Sequence, residues 1–130
     1  MTEEEQADAI LAALNDVLTL AKAYEYDDVP GAHGNEGTRP GRYVVIDVTR
    51  RYEEKRLGSG EVSVVGGRVG VRYAAKSTND ARNMRTLATA VLEDQILTTD
   101  AGEIGPFVHE TSEAILPADG YQSGADVFTF

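Results

Sequence analysis

The chain has 130 residues, with 12 basic and 22 acidic side chains and a formal net charge of −10 at pH 7. It contains no cysteine, which excludes disulfides, thiolate zinc sites, iron–sulfur clusters and a thiol nucleophile. The net negative charge argues against sequence-independent binding to duplex nucleic acid, which needs surplus Lys and Arg. The length suits one domain with a core of its own, so we predict a single domain over residues 1–130.

The charges are distributed unevenly along the chain. Residues 1–38 carry nine acids and one base, residues 39–85 carry eleven bases and five acids, and residues 86–130 carry eight acids and no base. One interpretation is a surface with a basic sector beside acidic ones, which suits a protein that packs against copies of itself. The other is that the fold mixes the three blocks over its surface.

The first predicted element is a helix over about residues 3–24. Thr2 stands at the position of an N-cap, and Glu5 stands at that of its capping-box partner. The positive end of the helix dipole favours the acidic residues at this start. An acidic start is also unlike the basic start of a signal peptide. An apolar stripe follows at helical spacing, formed by Ala7, Ile10, Leu11, Leu14, Val17, Leu18 and Ala21.

Residues 25–41 break this pattern with four glycines and two prolines, which predicts a long mobile loop. Loops of this length inside a compact domain are usually functional or disordered. We therefore expect the loop to order on contact with a partner, at an entropic cost. Its candidate contact residues are Asp27, Asp28, His33 and Glu36.

The middle of the chain predicts strands and a second helix. A strand is expected over residues 42–52, and two more, 61–65 and 68–75, around Gly66-Gly67 as a two-residue hairpin turn. The second helix begins at Ser77 or Thr78. Its buried stripe comprises Ala81, Met84, Leu87, Ala88, Val91 and Leu92.

Short β-like pieces at 95–98, 106–115 and 126–130 complete the pattern. The strands lack regular alternation with helices. The order therefore predicts an α+β fold, in which an antiparallel or mixed sheet carries two main helices on one face and a long loop follows the first helix. The apolar residues Val44, Ile46 and Val48 should meet the helices.

The chain contains little that matches a catalytic or metal-binding motif. The glycine-rich pieces match neither a phosphate-binding loop nor the dinucleotide fingerprint. His33 and His109 lack helical metal-ligand spacing, and no serine lies in a nucleophile elbow for His109 to activate. The acids Glu25, Asp27 and Asp28 lack the alternation of an EF-hand. We therefore predict a protein that is not an enzyme, with no cofactor, metal or catalytic residue.

Several segments together resemble a known family. They are YDDVPG at residues 26–31, YVVIDVTRR at 43–51, and VRYAAKS at 71–77 followed by DAR at 80–82. An acidic amphipathic helix precedes them, and an acidic β-rich tail follows. This arrangement resembles the tail-terminator proteins of long-tailed bacteriophages, particularly those that infect actinobacteria.

The resemblance implies a structural virion protein that forms a homohexameric ring at the head-proximal end of the tail tube. Such a ring terminates tube polymerisation and offers a docking surface for head–tail joining. The implied partners are further copies of the chain, the tail tube protein and a head-completion or stopper protein. DNA passes through the channel without specific binding, and no membrane is involved. The implied location is the virion tail, after assembly in the host cytoplasm.

A head-to-tail ring needs two different, complementary patches on each subunit. The basic candidates are Arg50, Arg51, Arg72, Arg82 and Arg85. The acidic blocks would supply the opposite patch and a channel wall that repels phosphate. The alternative is that these are ordinary surface arginines, each contributing little.

Three other functions remain open from the sequence. The first is another phage neck component, such as a head–tail stopper or adaptor. The second is a non-viral, acidic cytoplasmic module that binds a basic protein. The third is a small hydrolase or cation-dependent enzyme built around His109 and the loop acids.

Overall fold

The structure, a computed structural model, describes residues 2–56 and 62–130, with the side chains of 50–65 outside the description. Its two helices are α1 (Glu3–Val17) and α2 (Thr78–Leu92). The strands within these ranges are β1 (Lys22–Glu25), β2 (Arg42–Arg56), β3 (Val62–Ala75), β4 (Leu97–Thr99), β5 (Gly102–Ile104), β6 (Val108–Ser112), β7 (Leu116–Ala118) and β8 (Tyr121–Thr129).

One mixed sheet organises the fold. Its strand order is β1-β2-β3-β8-β6, and β7 also pairs with β8. The pair β1–β2 is parallel, and every other pair of this sheet is antiparallel. The strands β4 and β5 form a separate two-stranded sheet. The predicted α+β class, with a mixed sheet, two helices and a loop after the first helix, is confirmed.

The main core lies between the two helices and one face of the sheet. Ile10 and Leu14 of α1 and Met84 of α2 are buried there against Val44 and Ile46 of β2. Val48 is partly buried and packs on the same cluster, as expected for alternate residues of one strand. Among residues 2–56 and 62–130, the opposite face of the sheet therefore carries no helix.

The first helix ends at Val17, so the predicted end near residue 24 is wrong. The side-chain oxygen of Asn15 accepts a hydrogen bond of 2.8 Å from the amide of Ala23, which folds the chain back over the last turn. Residues 22–25 then form β1 beside β2. Leu18 follows the helix directly and Ala23 lies in β1, and both are buried in the main core. The apolar pattern therefore continues past the end of the helix.

We expect Asn15→Ala to destabilise the protein by about 1–2 kcal/mol, since it leaves the amide of Ala23 without its partner in a partly buried turn. The matched control is Asp16→Ala, because Asp16 is the exposed next residue of the same turn. Chemical denaturation followed by circular dichroism measures both. Equal midpoints for the two variants would contradict this role of Asn15.

The predicted hairpin turn at Gly66-Gly67 is also wrong, because both glycines lie inside β3. The residues that connect β2 to β3 are 57–61, outside the described part of the chain. The register shifts between Arg50 and Tyr52, and Gly66 has a φ of +66°, which fits a β-bulge. A bulge and a tight hairpin both favour left-handed glycine, so the sequence signal was ambiguous.

The second helix begins after the N-cap Ser77, whose side chain accepts a hydrogen bond from the amide of Asp80, as predicted. The final strand β8 starts at Tyr121, five residues before the predicted 126.

No helix among residues 2–56 and 62–130 is long and apolar enough to span a membrane.

Candidate functional site

The helix-free face of the sheet carries a groove of about 520 Å³. Small and apolar residues of β2, β3 and β8 form much of its lining, namely Val45, Gly70, Ala74, Ala125 and Val127. The loop after β1 and the turn between β7 and β8 supply the rest. The volume lies in the range of sites that hold a small ligand or a protruding side chain.

The long loop packs onto one end of this groove. Val29 is buried in a small second core with Tyr43, Ala74 and Tyr121. The side-chain amide of Asn35 donates to the carbonyls of residues 27 and 29, so the loop is closed by its own hydrogen bonds. The Tyr121 hydroxyl donates to the carbonyl of residue 40 at 2.8 Å, which joins the loop to β8.

The four predicted loop residues, Asp27, Asp28, His33 and Glu36, are all exposed. The ring of His33 lies 4.8 Å from that of Tyr26, and both rings line the groove. Glu36 contributes its carbonyl to a turn with the amide at position 31. That the loop orders on contact with a partner stays a prediction.

The two loop aspartates lie in an acidic patch around Glu25. Burial, followed by the charges of Asp28 and Asp8, raises the pKa of Glu25 above its usual value. Glu4 and Asp27 contribute to the same effect. Within the described ranges, no group of three or more acidic or histidine side chains could hold a metal ion.

Two cations converge at the loop end of the groove. The guanidinium carbon of Arg39 lies 4.4 Å from the ring centroid of Tyr121, and Nζ of Lys76 lies 3.8 Å from the same centroid. Arg39 Nε also donates to the Tyr43 hydroxyl at 2.7 Å. In the described part of the chain, neither cation forms an ion pair with a carboxylate. We call Arg39, Lys76 and Tyr121 the cationic pocket.

The sequence reasoning missed this pocket. Arg39 was part of an irregular loop, and Lys76 followed a strand, so no periodic signal connected them. Their common neighbour Tyr121 is 45 residues beyond Lys76. Only the pairing of β3 with β8 brings the two regions together.

Four of the seven basic residues of the middle block whose side chains the structure describes pair with acids of the same chain. Arg68 contacts Glu110 at 2.7 Å, and Arg72 contacts Glu113 at 3.1 Å. These pairs form because β3 lies next to β8, with β6 on its far side. Both are exposed, so each contributes at most about 1 kcal/mol. The fold thus mixes part of the charge blocks that are separate along the sequence.

The predicted interface arginines occupy different environments. The side chain of Arg72 is half exposed and forms an ion pair with Glu113. The side chain of Arg85 is only 25% exposed and forms an ion pair with Asp126 of the same subunit. Arg82 is exposed on α2 and has no ion pair within the described residues. Arg50 and Arg51 lie in β2, but their side chains are outside the described part of the structure.

Asp126 lies at the centre of a buried polar cluster beneath α2, and its side chain is only 2% exposed. Its carboxylate accepts hydrogen bonds from the Tyr73 hydroxyl at 2.9 Å, Arg85 Nε at 3.0 Å, His109 Nε2 at 3.1 Å and the Ser112 hydroxyl. We call these five residues the Asp126 cluster. No local pattern along the chain indicates this cluster, because four separate elements contribute to it.

Opposing effects set the ionisation of this cluster. Burial raises the pKa of Asp126, but hydrogen bonds from Ser112, His109 and Tyr73 and the charge of Arg85 outweigh it, so the pKa is lowered. Burial and the charge of Asp126 raise the pKa of Tyr73. At neutral pH the cluster therefore holds a carboxylate, a guanidinium and a neutral phenol.

This geometry does not fit nucleophilic catalysis. In a Ser-His-Asp triad the two ring nitrogens of histidine contact different partners. Here His109 Nε2 faces both Ser112 and Asp126, and Ser112 donates directly to the carboxylate. The cluster therefore joins α2, β3, β6 and β8, and it gives no support to a hydrolase built around His109.

Compared with known proteins, the chain matches no family model and no curated protein sequence.

Proposed function

We propose that this chain is a tail-terminator subunit of a long-tailed bacteriophage. It forms a homohexameric ring at the head-proximal end of the tail tube, stops tube polymerisation and provides the docking surface for head–tail joining. One observation carries the proposal: the segments that resemble this family, at 26–31, 43–51 and 71–77, contribute residues to the lining of a groove on the sheet face opposite the helices. An open face of this kind is typical of a subunit that buries it on assembly.

The distribution of exposed apolar side chains supports assembly. Large hydrophobic residues are exposed at several separate places, at Leu20, Tyr26, Ile96, Val108 and Leu116. A subunit of a ring contacts two neighbours through two different surfaces, and a virion ring also contacts the components above and below it. These five side chains suit such a subunit, because different contacts can bury them on assembly.

The charges support the remaining parts of the proposal. The chain has a net charge of −10, so a channel through the ring would repel phosphate, and DNA would pass without specific binding. Arg50, Arg51 and Arg82 remain proposed interface residues, and Arg72 contributes only if it exchanges Glu113 for a neighbour. Arg85 leaves this set, because Asp126 and backbone carbonyls already engage it.

We expect purified protein to form six-membered rings by native mass spectrometry and negative-stain imaging, and to shorten tubes grown from tail tube protein. The control is tube growth without this chain. A strict monomer that neither binds tube protein nor changes tube length would contradict the proposal. A twelve-membered ring that binds only the head connector would assign the chain to another neck component.

A further inference from the structure

We infer that neighbouring copies of this chain bind head to tail, with the acidic segment around Ile96 of one copy seated in the cationic pocket of the next. The inference rests on the proposed ring and names its interface. A second copy of the chain is thus the occupant of the groove beside Tyr121.

The receiving side is a groove with an apolar floor, and at one end lie two cations that form no ion pair within the described residues. Arg39 and Lys76 both lie within 4.4 Å of the ring centroid of Tyr121. Two cations therefore lie against one ring, and a carboxylate that reaches either of them gains a favourable interaction. The floor next to them, at Ala74 and Val45, can accept an aliphatic side chain. The pocket is therefore complementary to an acidic segment with an apolar residue.

The entering side has this chemistry. Ile96 is 53% exposed and follows the exposed acids Glu93 and Asp94. The amide of Asp94 donates to the carbonyl of Phe107 at 2.8 Å, and the amide of Phe107 donates to the carbonyl of Gln95 at 3.2 Å. The segment is thus held in one conformation before binding, which reduces the entropic cost of association.

The acids of this segment have no intramolecular partner in the described ranges. Neither Glu93 nor Asp94 forms an ion pair there, and the same holds for Asp100 and Glu103 in the adjoining β4–β5 sheet. This contrasts with Glu110 and Glu113, which arginines of β3 neutralise. A surplus of acids at this end matches the surplus of cations at the pocket.

The two sides lie at opposite ends of β8. The pocket is at Tyr121, where β8 begins. The acidic segment is bonded to Phe107, whose ring lies 5.0 Å from that of Phe130, just beyond the end of β8. Eight residue steps along a strand span about 26 Å, so one subunit cannot satisfy its own pocket. The contact is heterologous and repeats in one direction, which produces a ring when the rotation closes.

A charge-exchange experiment tests this contact. Variant one carries Arg39→Glu and Lys76→Glu, so that both of its sides are acidic, and variant two carries Glu93→Lys and Asp94→Lys, so that both are basic. We expect each alone to self-associate about 100-fold more weakly than the original protein, because attractive contacts become repulsive. An equimolar mixture should recover assembly, with the two variants alternating around the ring. Native mass spectrometry reads the composition, and sedimentation measures the affinity.

The control is Glu4→Lys with Asp8→Lys, which matches variant two in net charge and changes exposed acids of α1. It should assemble like the original protein. Circular dichroism confirms that each variant is folded. Unchanged assembly of variants one and two, or a mixture that stays dissociated, would overturn the inference.

The outcomes separate this inference from the proposed function. If the original protein forms rings and shortens tubes, and the charge variants do the same, the interface is wrong and the terminator proposal stands. If charge exchange controls self-association but no form of the protein acts on tubes, the interface stands and the terminator proposal fails. Loss of tube binding by variant one with intact rings would assign the pocket to the tube protein and overturn the inference. A protein that stays monomeric at every concentration contradicts both.

Discussion

Replacing Arg85 by alanine will destabilise the fold by about 3–5 kcal/mol, the range for removing one partner of a buried ion pair. The variant leaves the carboxylate of Asp126 inside the protein without the guanidinium that contacts it at 3.0 Å. It also removes the donors to the carbonyls of residues 113 and 125. For a chain of this length the melting temperature should fall by about 10–20 °C.

The matched control is Arg82→Ala, because Arg82 is exposed on the same helix. We expect it to change the free energy of unfolding by no more than about 0.5 kcal/mol, as is usual for a surface substitution. Thermal and chemical denaturation of the two variants measure the difference. Similar losses in both would show that α2 tolerates the removal of either arginine and that the Asp126 cluster is not a major source of stability.

The same cluster predicts a dependence of stability on pH. The folded-state pKa of Asp126 is lowered, so its contribution is complete above the unfolded value of about 3.9 and disappears as the pH falls through the folded value. Asp126→Asn should remove this part of the acid dependence, although it also lowers stability at neutral pH. Denaturation of both proteins across the acidic range provides the measurement. If the free energy of unfolding of both proteins changed with pH in the same way, Asp126 would not be a source of the acid dependence.

Replacing Gly66 by alanine will destabilise the protein by about 3 kcal/mol. The residue has a φ of +66°, which costs an alanine about 1 kcal/mol or more. A Cβ at this position would also overlap the carbonyl oxygen of Phe130. Relief of this overlap displaces the end of β8 and breaks the bonds of 2.7 and 2.9 Å between Gly67 and Phe130, each contributing about 1 kcal/mol.

Gly70→Ala is the control in the same strand. A Cβ there would lie 4.0 Å from the carbonyl oxygen of Asp47, an ordinary contact, and the backbone is not left-handed. Its effect on stability should therefore be within about 0.5 kcal/mol. Amide hydrogen exchange at Phe130 gives a local readout, and its protection should fall only in the Gly66 variant. Equal exchange in both would contradict the proposed role of the bulge.

Local signals predicted the local elements of this fold. The N-cap pairs Thr2–Glu5 and Ser77–Asp80 mark where the two helices begin, and both are present. Alternation in β2 placed Val44 and Ile46 toward the helices because the side-chain period of a strand is two. The signals failed where two structures share one pattern. Gly66-Gly67 fits a turn or a bulge, and apolar spacing past Val17 fits a longer helix or a turn into a strand.

The sequence by itself determined the α+β class, the helix starts, the inward face of β2, the lack of thiol chemistry and the total charge. Each of these depends on composition or on residues close together in the chain. The tertiary structure decided where the charges are used. It paired Arg68 and Arg72 with acids about 40 residues away, buried Asp126 beside Arg85, and left Arg39 and Lys76 on Tyr121 without a carboxylate in the described ranges. Such contacts depend on the order of strands in the sheet, because sheet pairing joins residues whose separation along the chain carries no periodic signal.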